Sequence, residues 1–186
     1  MVSSVNKMSI KSMLYCFLWC SLSPVVLFAQ GERAGTHLDS NAVQSTVLEL
    51  HQSDEIEAMR EHLEQGRLND ALKAARDYVE KVELTTRVND TIRRYYAYNA
   101  LCTVLTRTGD LDEAVESCTK AMILEPGKWS AVNNRGTARL MQGQLEQARQ
   151  DYETALNLAP EGNENIAATI EHNIMLVDQR AGQIRN

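Results

Sequence analysis

An all-α array of stacked helical hairpins is the fold this sequence predicts, on three observations. One 34-residue unit is written twice between Arg94 and Pro160: Gly109 recurs as Gly143, Ala114 as Ala148, Ala121 as Ala155 and Pro126 as Pro160. A fixed period of this size marks a stacked repeat. Within each unit, apolar residues recur at three- and four-residue spacing on either side of a glycine, which is the helical period. Aromatic residues are 5% of the chain while 44% is hydrophobic, which suits a core of Ala and Leu contacts between helices.

In the second unit, Trp129 to Met141 carries helix-forming residues and Gly143 interrupts them. Leu145 to Leu158 resumes the pattern, with Leu145, Ala148, Tyr152, Ala155 and Leu156 on one side. Pro160 stops it, since proline has no amide proton and clashes with the preceding turn. Gly136, Ala148 and Ala155 are small enough for two antiparallel helices to approach closely, with Tyr152 filling the gap. The first unit repeats the scheme, with Tyr98, Leu101, Cys102 and Leu105 on one helix and Ala114, Cys118 and Ala121 on the other.

A weaker third unit precedes this pair, because Gly66 and Ala71 keep the five-residue step of Gly109 and Ala114. Ser53 is placed to cap its first helix, whose apolar stripe is Ile56, Met59 and Leu63. Its second helix is expected from about Asn69 to Leu84, with Leu72, Ala75, Tyr78, Val79 and Val82 inward. Gly66 and Gly109 are 43 apart, so nine extra residues lie between Val82 and Arg94. An early helix start capped by Asn89 or Asp90 accounts for them. Asn89-Asp90-Thr91 is also a glycosylation acceptor pattern, a weaker reading than the cap. Asn163 to Ala181 reads as a last helix with Ile166, Ile170, Ile174 and Val177 inward, covering the exposed end of the stack.

The run Asn133-Asn134-Arg135-Gly136-Thr137-Ala138, followed by Gly143, Ala148, Tyr152, Ala155 and Pro160, resembles the tetratricopeptide repeat (TPR) family. The departures are Cys102 at a small position, Cys118 at an aromatic one and Arg139 at another. The clear resemblance covers residues 95 to 160. It implies a right-handed α-solenoid of about three TPR hairpins (52–85, 95–128 and 129–162) and a capping helix (163–182), within a TPR domain spanning 51–186. Such repeats bind other polypeptides and do not, as a rule, catalyse reactions.

The resemblance also supplies a candidate peptide groove, since the first helix of each hairpin lines the concave side in this family. The stripe one residue off the packing stripe comprises Tyr96, Asn99, Thr103 and Arg107, then Ser130, Asn133, Thr137 and Met141, with Asn134 beside them. Side-chain amides donate and accept at once and so suit a peptide backbone of any sequence. Arg107 suits a carboxylate. Some family members grip a C-terminal carboxylate with a Lys-Asn-Asn-Lys-Arg set. Here Ser53, Glu57, Ala100, Ser130 and Asn134 stand at those places, so the resemblance does not extend to that clamp. Arg93-Arg94-Tyr95-Tyr96, with Arg87 nearby, is a second patch, read chiefly as a solvated helix start with Tyr95 inward.

Residues 1–29 read as an export leader. Lys7 and Lys11 make a basic start, Met13 to Ala29 is apolar apart from three serines, and Pro24 argues against an uncleaved spanning helix. Periplasmic export, or an anchor facing the periplasm, follows. Residues 30–50 then form a polar tether. The chain carries a net charge of −6, and removing the leader makes it −8, so neither nucleic acid nor anionic lipid is attracted.

No nucleotide or zinc-protease motif occurs, and His37, His51, His62 and His172 have no second ligand at three or four residues, so neither metal nor cofactor is expected. Cys102 and Cys118 face each other across one hairpin. In an oxidising compartment they are candidates for a disulfide; two buried thiols are the favoured alternative, because helices often hold Cα atoms too far apart. Two functions remain for a non-enzymatic chain. One is an adaptor holding an extended segment of an envelope protein. The other is a structural or oligomerisation module of a larger envelope complex, in which a homo-oligomer would arise.

Overall fold

The computed structural model describes residues 53–87 and 89–184, which form seven helices and no strand. They are α1 (Asp54–Glu64), α2 (Leu68–Thr85), α3 (Thr91–Thr108), α4 (Leu111–Leu124), α5 (Trp129–Met141), α6 (Leu145–Leu158) and α7 (Glu164–Ile184). The leader and the tether lie outside the described residues. Each helix packs on the next, and α3 packs on α5 as well, so three hairpins stack in chain order with α7 against the last. No described helix is long and apolar enough to cross a membrane.

Local chemistry explains the boundaries. Ser53 Oγ accepts the Ile56 amide at 3.3 Å, and Asp54, Glu55 and Glu57 occupy the positive end of α1. Gly66, Gly109 and Gly143, the repeated glycines, all adopt positive φ (69°, 90° and 78°). A side chain would be strained there, and the glycine lets the chain reverse into the second helix of each hairpin. α4 and α6 both end two residues before a proline, Pro126 and Pro160.

The nine extra residues resolve into a loop and a longer helix. α3 has 18 residues against 13 in α5, and Asp90 caps it by accepting the Arg93 amide at 3.3 Å. The Thr91 hydroxyl, at its first turn, donates to Glu125 beyond the end of α4 and ties the early start to its own hairpin.

The core follows the expected stripes. Ile56, Met59 and Leu63 of α1 meet Ala71, Ala75, Tyr78 and Val82 of α2, with Leu72 and Val79 at the edge. In the last hairpin Tyr152 is fully buried, and a Cβ placed on Gly136 would lie 2.9 Å from its ring. Backbone and ring are therefore already in contact, and only glycine fits.

The face of α7 differs from expectation. Its buried residues are Ile170, Asn173, Leu176 and Val177, whereas Ile166 and Ile174 are partly covered and Met175 is 45% exposed. A run of four-residue steps such as 166–170–174 drifts around a helix of 3.6 residues per turn. The steps of three and four from 170 to 173 to 177 hold one line, and that line carries an asparagine into the interior.

Candidate functional site

Helices α3, α5 and α7 bring a row of asparagines together. Asn134 on α5 donates from Nδ2 to Asn99 Oδ1 and to Thr103 Oγ1 on α3, both at 3.1 Å. Its neighbour Asn133 donates weakly to Asn134 Oδ1 at 3.5 Å. Asn173 on α7 donates to Asn133 Oδ1 at 2.9 Å. Four amides thus form one directed chain, Asn173 to Asn133 to Asn134 to Asn99, across three helices. Their exposure is 0–1%, so these bonds form away from bulk water, where each polarises the next.

The local sequence positions the row. Asn99 and Asn133 occupy the same place in successive 34-residue units, so stacking aligns them. Asn134, one residue on, points back toward the preceding hairpin. Thr103 and Thr137 return their hydroxyl protons to the carbonyls of Asn99 and Asn133, one turn earlier (3.0 and 3.2 Å), leaving their oxygens to accept from Asn134 and from the Tyr152 hydroxyl (3.0 Å). Tyr95 and Ser130 share a hydrogen bond of 2.6 Å between α3 and α5.

Of the nine residues expected to line an open groove, Asn99, Thr103, Ser130, Asn133, Asn134 and Thr137 are therefore buried, at 0–2% exposure. Tyr96, Arg107 and Met141 are partly exposed. The stripe is assembled, but its polar centre links helix to helix. A projection of one helix does not reveal this, because the partners lie 31–40 residues away.

The cationic-aromatic patch also assembles. Tyr95 and Tyr96 meet edge to face with ring centres 5.2 Å apart, and Lys128 Nζ lies 5.8 Å from each ring. Arg94 pairs with Glu83 at 3.3 Å, which marks it as part of the α2–α3 contact.

Two features were not legible beforehand. Asp151 on α6, 5% exposed at its side chain, receives Arg135 through both oxygens (2.7 and 3.1 Å) and Arg139 at 2.8 Å. Arg135 also donates to Thr119 of α4 at 3.3 Å, so the cluster joins the last two hairpins. The one sequence signal was Arg139 standing where the repeat pattern has an aromatic. The other feature is Asn173, whose signal was an amide within an apolar stripe. Burial drives the Tyr152 hydroxyl, which donates to Thr137, to a strongly raised pKa, so it remains protonated.

Cys102 and Cys118 form a disulfide between α3 and α4, with Cα atoms 5.2 Å apart. The small residues of this hairpin bring the helices within disulfide reach, which the spacing of the cysteines did not determine. No group of three or more His, Cys, Asp or Glu among the described residues is placed to hold a metal ion.

Comparison with known proteins agrees on the class. Residues 129–161 match the sequence model of the tetratricopeptide repeat. That hairpin is thus a tetratricopeptide repeat, and the seven helices stack with the fold of a TPR solenoid. Among curated proteins it is similar to DnaJ homolog subfamily C member 3 of Gallus gallus, with 34% identity over 101 residues (54% of this chain, 19% of that protein). It is also similar to DnaJ protein P58IPK homolog A of Oryza sativa subsp. japonica, with 33% identity over 88 residues (47% and 18%). The chain thus spans about a fifth of the length of these relatives. Among solved structures, the Aspergillus fumigatus Sgt2 TPR domain is similar with a TM-score of 0.55 and 11% identity, over 78% of this chain and 82% of that one. The second TPR domain of human RPAP3, solved with an HSP70 peptide, gives 0.51 and 19%, over 75% and 98%. At these identities the likeness is one of fold.

Proposed function

We propose that this chain is an exported, non-catalytic adaptor of the cell envelope that holds an extended segment of a partner protein along α3, α5 and α7. The observation that carries the reading is the partly exposed set Tyr96, Arg107 and Met141 on helices that the buried row of amides holds in register. The RPAP3 domain of similar fold was solved with a peptide, which supports the same use here. The basic, apolar leader supports export, and a disulfide within the domain is in keeping with an oxidising compartment.

The test is selection of a phage-displayed 12-residue peptide library on the full chain, then titration of the synthesised winner. Tyr96→Ala, Arg107→Ala and Met141→Ala leave the asparagine row whole, and each is expected to weaken binding, the largest loss about tenfold. Failure to select any peptide, or a winner that binds all three variants equally, defeats the reading. Light scattering decides against the structural alternative if the chain is a monomer at micromolar concentration.

A further inference from the structure

Cys102 and Cys118 stand one repeat unit before Gly136 and Tyr152. In the second hairpin the disulfide therefore takes the place of the ring-on-backbone contact that spaces the third. Like that contact, it is sealed. Both cysteines are 0% exposed, and so are Leu105 and Thr106 on α3 and Ala114 and Ala121 on α4, each about one turn away from them. A disulfide forms and breaks only when a thiolate reaches a sulfur, so access governs both directions. In the closed hairpin no reagent reaches these sulfurs. Two thiols enclosed there instead would be held protonated by their apolar surroundings, and so unreactive. In the unfolded chain nothing hinders pairing, since a sequence separation of 16 closes within about a microsecond.

We propose that oxidation precedes closure of the hairpin. The chain is the substrate of a dithiol oxidation while α3 and α4 are undocked, and once they dock the bond takes no further part in thiol exchange. The co-reactant is a disulfide. The thiolate of one cysteine attacks it, forming a mixed disulfide and releasing one thiol. The thiolate of the other cysteine then attacks the first cysteine's sulfur, closing the Cys102–Cys118 bond and releasing the second thiol. The two cysteines lose two electrons and two protons, and the co-reactant gains them as two thiols. The reaction that supplies the native protein is thus a thiol–disulfide exchange on unfolded polypeptide, in an oxidising compartment. What the groove binds has no bearing on this order.

The test is an order-of-addition experiment on the full chain, reduced and unfolded in urea. Oxidised glutathione is added either before dilution into urea-free buffer or after circular dichroism shows that the helices have formed. Free thiols are then alkylated in denaturant and the chain is digested with trypsin. Cleavage after Arg94, Arg107 and Lys120 puts Cys102 and Cys118 on separate peptides, apart from Cys16 and Cys20, so the bond is read as a linked pair by mass. Added first, the oxidant is expected to link the pair. Added after folding, it should do so at least about a hundredfold more slowly, because reaction then waits on local opening. Dithiothreitol should reduce the folded, oxidised chain more slowly than the same chain in urea by a similar factor. Equal rates in either comparison show that the folded hairpin admits thiols, and overturn the proposal. A reduced chain that gains its helices only on oxidation supports the same order of events.

Discussion

The Tyr152 ring lies against the backbone of Gly136 so closely that a Cβ there would sit 2.9 Å from one ring carbon and 3.0 Å from the next. This contact sets the spacing of α5 and α6. Gly136→Ala is expected to destabilise the domain by about 2 kcal/mol, in the range of core overpacking, and urea titration followed by circular dichroism measures it. The cost should shrink in a Tyr152→Leu background, since the clash partner is then gone. Equal costs in both backgrounds would show that the ring is not what fills the space.

Asn134 makes two inter-hairpin bonds at 3.1 Å, to Asn99 and Thr103. Asn134→Ala removes both and leaves Asn99 Oδ1 without a described donor, at a cost of about 2 kcal/mol. The loss should appear first as faster amide hydrogen exchange where α3 meets α5, because those are the helices the side chain joins.

Asp151 neutralises two arginines at once. Asp151→Asn leaves Arg135 and Arg139 side by side without a counter-charge, at 17% and 22% side-chain exposure. A loss of about 3 kcal/mol is expected, as for other half-broken buried ion networks. Glu→Gln at exposed Glu113, which pairs with Arg76, is the control and should cost under about 0.5 kcal/mol.

The disulfide closes a loop with a sequence separation of 16. Reduction should lower stability by about 3 kcal/mol through the freed unfolded chain. Thermal melts with and without a phosphine reductant measure this. A Cys102→Ala/Cys118→Ala chain should melt with the reduced protein and be indifferent to the reductant.

The Lys81 ammonium hydrogen-bonds Glu55 across α1 and α2 and holds that carboxyl below its usual value of 4.5, while the same bond raises Lys81 above 10.5. A depressed carboxylate stabilises the fold above its unfolded-state pKa, and the contribution is lost as pH falls through the folded value. A raised ammonium contributes below its ordinary value and loses that only in strong alkali. The pair is therefore whole between about pH 5 and pH 10. Being exposed, it is worth little: Glu55→Gln should lower the melting temperature by about 2 °C at pH 7, the gap closing as pH falls through the lowered carboxyl value.

Much of this molecule was legible along the chain. Gly109 and Gly143, Ala114 and Ala148, and Pro126 and Pro160 mark where helices turn, approach and stop, and each does so for a reason confined to its own backbone or its hairpin neighbour. Ser53 and the early start of α3 were readable for the same reason, because a cap acts within three residues. The stripe of Asn99, Thr103, Asn133 and Thr137 was readable as a stripe, yet not as a set of bonds.

By itself, then, the sequence determined the repeat, its helices and the alignment of like residues in successive units, since a 34-residue period and a 3.6-residue turn are local quantities. Only the tertiary structure decided what those residues touch: that Asn134 reaches back to Asn99, that Asp151 draws in Arg139, that Cys102 meets Cys118, and that α7 turns Asn173 inward. Each of these depends on how far apart two helices settle and how one is rotated against the other. That is settled by the packing of the whole stack, which no single stretch of chain contains.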